Sequence, residues 1–308
     1  MNVLSLFDGM SCCQIALNRA GIKYDKYYAS EVNKYAIAVT QANYPDTVHL
    51  GDINNFTSWD VDWRSIGLVV AGSPCQGFSF AGKQLAFDDP RSKLFFAFVN
   101  ILRLIQSVNP SVKFLLENVC MKKQYQQIIT DHLGVEPIFI NSALVSAQNR
   151  KRLYWTNITN IKEPIDKGIT WGDVRERNVI IENCDSPENE QAIAAMRGRY
   201  LIDGKRQDGK QKTQGLTKQY IEFRYDGKTN ALTTVAKDNV VVPFTLPNRI
   251  LADEFFFRYM TPVECERLQT VPDNYTAYVS NNQRYRMLGN GFTVDVIAHI
   301  LRHMEDKI

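Results

Sequence analysis

What this 308-residue chain lacks narrows its chemistry before any motif is read. No apolar run is long enough to cross a bilayer. The start, MNVLSLFDGM, has neither the basic opening nor the small-residue cleavage site of a secretion signal, so a cytoplasmic protein is expected. The cysteines (Cys12, Cys13, Cys75, Cys120, Cys184 and Cys265) include no C-x-x-C pair, which argues against a zinc site and a disulfide framework; no metal is expected. There is no internal repeat. G-x-G-x-x-G is absent, which weakens a dinucleotide-dependent oxidoreductase. A formal net charge of +3 names no partner, because a nucleic-acid binder needs its basic residues clustered. The apolar (44%) and charged (22%) shares are those of a globular protein with one large core or two smaller ones.

What is present is an alternation of strand-like and helix-like segments over the first 155 residues. VLSLF (3–7), KYYASE (26–31), TVHLGD (47–52), LVVAG (68–72), KFLLEN (113–118) and RLYWTN (152–157) read as strands. SCCQIALNRA (11–20) reads as a helix closed by Gly21, and a second helix ends near Tyr44 and Pro45. Over 92–108, Leu94, Phe98, Ile101, Leu102, Ile105 and Val108 fall on one helical face. Such alternation predicts an α/β fold, a parallel sheet with helices on both faces. Residues 157–255 show little periodicity. Regular pattern returns at TPVECERLQ (261–269) and in a last helix from about Thr293.

Sheets of this kind bind ligands at the carboxyl ends of their strands. The first end, FDGMS, turns at Asp8 and Gly9 into a helix N-terminus that favours an anionic group. The second ends in Glu31, suited to a ribose hydroxyl pair, and the third in Asp52, suited to an exocyclic amine. Singly, each reads more readily as an ordinary turn or a solvated carboxylate. Together they point to a nucleoside cofactor with a charged tail. The fourth end, GSPCQGFS, carries Cys75 out of a strand into a loop broken by Pro74 and Gly77. The fifth carries Glu117. A thiolate beside a carboxylic acid can attack an electron-poor ring. In QNRKRLYW an extended backbone places Arg150 and Arg152 on one face and Lys151 on the other.

These segments, with SEV, GDI, ENV, RYMTPVECERLQTVPD and RMLGNGF in the same order, resemble the cytosine-C5 DNA methyltransferase family over about two-thirds of the chain. The resemblance implies a Rossmann-like class I methyltransferase sheet with a smaller irregular target-recognition domain. It implies S-adenosylmethionine held by Phe7 on the adenine, Glu31 on the ribose and Asp52 on the adenine amine. Asp8, Gly9, Ser11, Cys12, Val32, Ile53, Pro74 and Leu94 complete that site, with Asn290 and Gly291 reaching the methionine part. It implies a flipped cytosine, attacked at C6 by Cys75, with Glu117 at N3, Arg150 at the O2 side and Arg152 beside them. Residues 76–94 resemble the family's active-site loop, with Arg91 meeting a phosphate. Cys12 and Cys13 stand where the family has paired glycines, and Gly67 where it has an aspartate.

The division implied is 1–156 for cofactor and catalysis, 157–255 for target recognition and 256–308 returning to the first part. In the middle segment Lys205, Arg206, Lys210 and Lys212 suit phosphate contacts, and Thr233, Thr234 and Lys237 suit a DNA face. A monomer acting on duplex DNA is expected. The motifs run from residue 3 nearly to the end, which suits a prokaryotic or phage enzyme, restriction-linked or orphan. The rival readings are a tRNA cytosine methyltransferase, resembling the tRNA-modifying branch of the family, and an inactive DNA-binding protein of this fold. The long middle segment disfavours the first, and the intact Cys75, Glu117 and Arg150 disfavour the second.

Overall fold

The computed structural model describes residues 1–72, 92–182, 191–199, 201–202, 205–206, 218–234, 238–243, 249–251 and 256–304. Its first part alternates β1 (Asn2–Leu6), α1 (Cys12–Ala20), β2 (Tyr27–Ser30), α2 (Lys34–Asn43), β3 (Val48–His49) and β4 (Ile66–Ala71). Then follow α3 (Ser92–Val108), β5 (Lys113–Val119), α4 (Lys123–Leu133), β6 (Ile138–Asn141) and β7 (Lys151–Thr156). These strands form one seven-stranded sheet in the order β3-β2-β1-β4-β5-β7-β6. The α/β expectation is borne out, with one difference. β7 runs antiparallel to both β5 and β6. Residues 142–150 join β6 to β7, and so short a link suits an antiparallel turn rather than a parallel crossover.

The strands read as continuous apolar runs because both faces are covered. Val3, Leu68, Val70 and Leu115 join one core with residues of α1, α2 and the C-terminal helix. Leu4, Val69, Phe114 and Leu116 join the other with Phe98, Ile101, Leu102 and Ile105 of α3 and Ile129 of α4. Val108, expected on the same face, is exposed at the last turn of α3. α1 stops at Gly21, whose φ of 78° only glycine adopts without strain, as its sequence position predicted. Gly67 lies against Met1: a Cβ there would stand 2.9 Å from the Met1 side chain.

The stretch of weak periodicity holds a regular antiparallel sheet. Its strands are β8 (Gln191–Arg199), β9 (Lys218–Arg224), β10 (Val240–Pro243), β11 (Arg249–Leu251) and β12 (Arg258–Tyr259), in the order β11-β9-β8-β10-β12. Alternation is erased because both faces are again covered. Ile193 and Val241 enter the large core, while Ala192, Ala194, Ile221, Val240 and Val242 form a small one on the other side.

A short helix α5 (Trp171–Val174) precedes this sheet, and α6 (Pro262–Leu268), α7 (Asn281–Asn290) and α8 (Val294–Arg302) follow it. Thr261 and Glu264 close a capping box at the start of α6. α8 packs its apolar face on α1, and Arg19 meets Asp295 at 2.7 Å. Two glutamates of α6 are fully buried. Glu264 pairs with Arg258 at 2.8 Å and Glu266 with Arg284 of α7 at 3.0 Å. No helix among the described residues is long and apolar enough to cross a membrane.

The end of α7 approaches the segment before β10 so closely that Gly289 has no room for a side chain. A Cβ there would lie 2.4 Å from the Thr233 carbonyl oxygen and 2.8 Å from the Thr234 nitrogen, both backbone atoms. Gly289→Ala is therefore expected to destabilise the fold by about 1–3 kcal/mol. Urea denaturation of the two proteins checks this, and an unchanged midpoint would show that the two segments can part freely.

Candidate active site

The carboxyl end of β1 turns under strain. Phe7 and Ser11 sit at φ 58° and Gly9 at φ 61°. Left-handed backbone is unfavourable for Phe and Ser, and persists where surrounding bonds hold it. Those bonds run through Asp8. Its carboxyl accepts the Tyr27 hydroxyl at 2.6 Å and the Ser11 hydroxyl, while its backbone N–H donates to Ser30 at 3.1 Å. Burial pushes the Asp8 pKa up from 3.8 to about 6. Glu31, beyond β2, receives the Gly9 N–H at 2.8 Å on one oxygen and the Val32 and Asn33 N–H groups at 2.8 Å on the other.

Across the sheet, the ends of β5 and β7 bring Glu117 and Arg152 together, Nε to carboxylate at 2.8 Å. Gly72 follows β4 directly, and a Cβ there would lie 3.8 Å from the Glu117 carboxylate and 2.8 Å from the Phe292 ring. The C-terminal segment closes the space. Phe7, Asp8, Gly9, Met10, Cys12, Glu31, Gly72, Glu117, Arg150, Arg152, Asn290, Gly291 and Phe292 all face one cleft of about 320 Å³. Motifs as far apart in the chain as those of Phe7 and Phe292 thus converge on one site.

Several positions differ from expectation. Arg150 is buried, and its guanidinium donates to three carbonyls: Leu232 at 2.8 Å, Gly289 at 3.2 Å and Gly291 at 3.0 Å. The arginine beside Glu117 is therefore Arg152, although both face the cleft and Lys151 is exposed, as alternation predicted. Asp52 is exposed and outside the cleft wall. It accepts the Asn54 N–H at 2.9 Å and caps the turn Ile53–Ser58. Ile53 and Leu94 pack into the core under α3, Val32 is exposed, and Ser11 lies beneath the turn rather than on its open side. Cys12 does face the cleft, its sulfur 3.5 Å from where a Gly291 Cβ would sit, and burial pushes its thiol up to about 12. Cys13 points into the core.

Thr233 and Thr234 are exposed, with the Thr233 hydroxyl donating to Asp238 at 2.5 Å and Asp238 pairing with Arg197 at 3.0 Å. Lys205 and Arg206 form a two-residue pairing with Leu201 and Ile202. Pro74, Cys75, Arg91, Lys210, Lys212, Lys237 and most of the loop at 76–94 lie outside the described residues. Sequence reasoning missed Tyr27, Gly72, Asn118 and Phe292. The last three line the cleft from inside the quoted segments GSPCQGFS, ENV and RMLGNGF, which was the available signal; Tyr27 gave none, being one of many strand aromatics.

The raised Asp8 pKa has a consequence for stability. An acid whose folded pKa lies above its unfolded value contributes stability that is complete below the unfolded pKa and is lost as pH rises through the folded one. Asp8 should thus cost the fold up to about 3 kcal/mol between pH 3.8 and about 6. Asp8→Asn, which cannot ionise, should gain on the wild type over that window and hold the gain at neutral pH. Denaturation curves at several pH values check this; parallel curves for the two proteins would refute it.

The profile of C-5 cytosine-specific DNA methylases matches residues 1–306. The type II methyltransferase M1.ScrFI of Lactococcus lactis subsp. cremoris is 29% identical over 98% of this chain and 77% of its own. M.HpaII of Haemophilus parainfluenzae is 28% identical over 99% and 89%. Among solved structures, the methyltransferase EhMeth of Entamoeba histolytica superposes with a TM-score of 0.69 at 16% identity, covering 99% of this chain and 98% of that one, which shows the shared fold. With residues of FDGMS, SEV, ENV, QNRKR and RMLGNGF lining one cleft and the profile matched over 1–306, the chain belongs to the C-5 cytosine-specific DNA methylases, enzymes that methylate DNA cytosine at C5.

Proposed function

We propose that this chain methylates a cytosine flipped out of duplex DNA through a covalent adduct at Cys75, with S-adenosylmethionine as methyl donor. The observation that carries the reading is the Glu117–Arg152 pair on the cleft wall, beside the end of the strand that leads to Cys75. Gly72, three residues before Cys75 in the sequence, lies against Glu117.

The cleft suits the cofactor. Phe7 offers a ring for the adenine and Glu31 a carboxylate for the ribose. Gly9 faces the cleft with nothing within 4 Å of where its Cβ would stand, leaving a cradle that a side chain would fill. Asn290 and Gly291 border the same space. S-adenosylmethionine, when bound, supplies an electrophilic methyl group.

The chain's own residues prepare the ring. Extrusion of the base is required because C5 and C6 are covered in the stack. The Cys75 thiolate adds to C6, and the displaced electron pair makes C5 nucleophilic. Glu117 lies along the N3 edge and accepts from the exocyclic amine beside it, and Arg152 donates on the O2 side, where charge builds as the adduct forms. The Glu117–Arg152 ion pair holds both groups in place. After C5 takes the methyl group, loss of the C5 proton and expulsion of the thiolate restore the aromatic ring.

We further propose that 1–156 and 256–308 hold cofactor and chemistry while 157–255 selects the target, with β12 extending the middle sheet past that boundary. Phosphate contacts from its basic residues would fix register, and base-edge contacts would fix sequence.

Cys75→Ser should abolish transfer and keep cofactor binding. Duplex DNA with 5-fluorocytosine at sites mapped by bisulfite sequencing should trap the wild type covalently, because fluorine cannot leave as a proton. Turnover by the serine variant would sink the assignment. Arg152→Met should lower the transfer rate about 100-fold with cofactor affinity nearly intact, whereas Arg150→Met should chiefly lower stability by stranding three buried carbonyls. Single-turnover methylation and thermal denaturation separate the two. If Arg150→Met were as stable as wild type while Arg152→Met kept full turnover, the roles would be exchanged.

A further inference from the structure

Asp8 is a buried carboxyl group on the wall of the cleft, and its only side-chain partners there are hydroxyls. Among the described residues no lysine or arginine forms an ion pair with it. A carboxylate withdrawn from water is ordinarily paired with a cation, and one left without is a candidate for function. The groups around it offer no compensation. β1 contributes Ser5, β2 Tyr27, the start of α1 Ser11, Cys12 and Cys13, and α2 Thr40 through the Ser11 hydroxyl. Tyr24 and Tyr275 stand further off. Glu31 adds a second carboxylate to the same wall. The two cleft arginines are engaged elsewhere, Arg150 with carbonyls and Arg152 with Glu117.

Resting on the cofactor reading above, we propose that Asp8 is a specificity-determining residue: its buried negative charge favours the cationic sulfonium cofactor over the neutral thioether left after transfer. The selection acts through space, because both carboxyl oxygens already accept hydroxyls, one from Tyr27 and one from Ser11. Methyl transfer removes one positive charge from the bound molecule. The attraction to Asp8 falls at that moment, and product exchanges for fresh cofactor. Neutral recognition elements such as Phe7 cannot make this distinction, since the two molecules share their adenine and ribose.

The charge is present only when Asp8 is ionised, so the preference should be full above its pKa of about 6 and fade below it. Calorimetric titration of the intact protein with S-adenosylmethionine and with S-adenosylhomocysteine tests this without reference to turnover. In the wild type, the ratio of the two dissociation constants should move against the sulfonium ligand by about tenfold as pH falls from about 8 to about 5. Asp8→Asn should show the low-pH ratio throughout. If that variant does not fold, the wild-type series still decides. A ratio independent of pH, or an equal loss of both ligands in Asp8→Asn, would overturn the proposal and leave Asp8 a purely structural support of the turn. Failure of both ligands to bind at any pH would instead overturn the cofactor reading, and this proposal with it.

Discussion

The cleft depends on one guanidinium. Arg150 donates to Leu232, Gly289 and Gly291, carbonyls from two parts of the chain that no strand pairing links to each other. Gln148 and Gln269 reinforce the junction. Gln148 accepts the Leu232 N–H at 2.7 Å, and Gln269 donates to Leu288 at 2.6 Å and Gly291 at 3.2 Å. Hydrogen bonds from a charged donor to buried carbonyls are each worth about 1.5–3 kcal/mol. An arginine suits this post because its planar fork serves several acceptors at once and never loses its charge. The wall formed by Asn290 and Gly291 stands where it does because these donors fix it.

The segment TPVECERLQTVPD serves the same end by other means. Its two glutamates look like catalytic acids, yet both are buried away from the cleft. Glu264 accepts both Arg258 terminal nitrogens at 2.8 Å and the Thr261 N–H at 2.8 Å. Glu266 accepts Asn274 and Thr276 N–H groups at 2.7 and 2.9 Å as well as Arg284. Buried ion pairs contribute little net stability, and removing one partner costs far more than the pair supplies. Their geometric demand is strict, however, and it sets how α6 and α7 meet and hence where the end of α7 is delivered.

Much of this was legible in the sequence because it is written locally. A strand end followed by Asp-Gly, or by Pro-Cys, marks a turn whatever surrounds it. Gly21 closes α1 for reasons contained in its own φ. What could not be read was depth. Alternation told that Arg150 and Arg152 share a side, but not that one is sealed under carbonyls while the other meets Glu117. Asp52 held a local clue: a carboxylate two residues before Asn54 readily takes its N–H, and it does. The quoted motifs contain Gly289 and Gly72 but do not say why glycine is needed there, since that need comes from Thr233 and Phe292, remote in sequence. The sheet of β8 to β12 escaped because burial on both faces removes the alternation by which strands are recognised.

The packing of α8 on α1 joins the last helix described to the first. A ribosome delivers the first of these two pieces long before the second. While the chain is being made, the apolar side of α1, with Ile15, Ala16 and Leu17, has no Ile297 or Leu301 to cover it. The Phe7–Cys12 turn likewise has no Gly291 opposite. Contacts of such sequence separation form late and slowly, and apolar surface exposed meanwhile invites association with other chains. The cleft, whose wall includes Phe7 and Gly291, is therefore incomplete until almost the whole of the described chain has emerged.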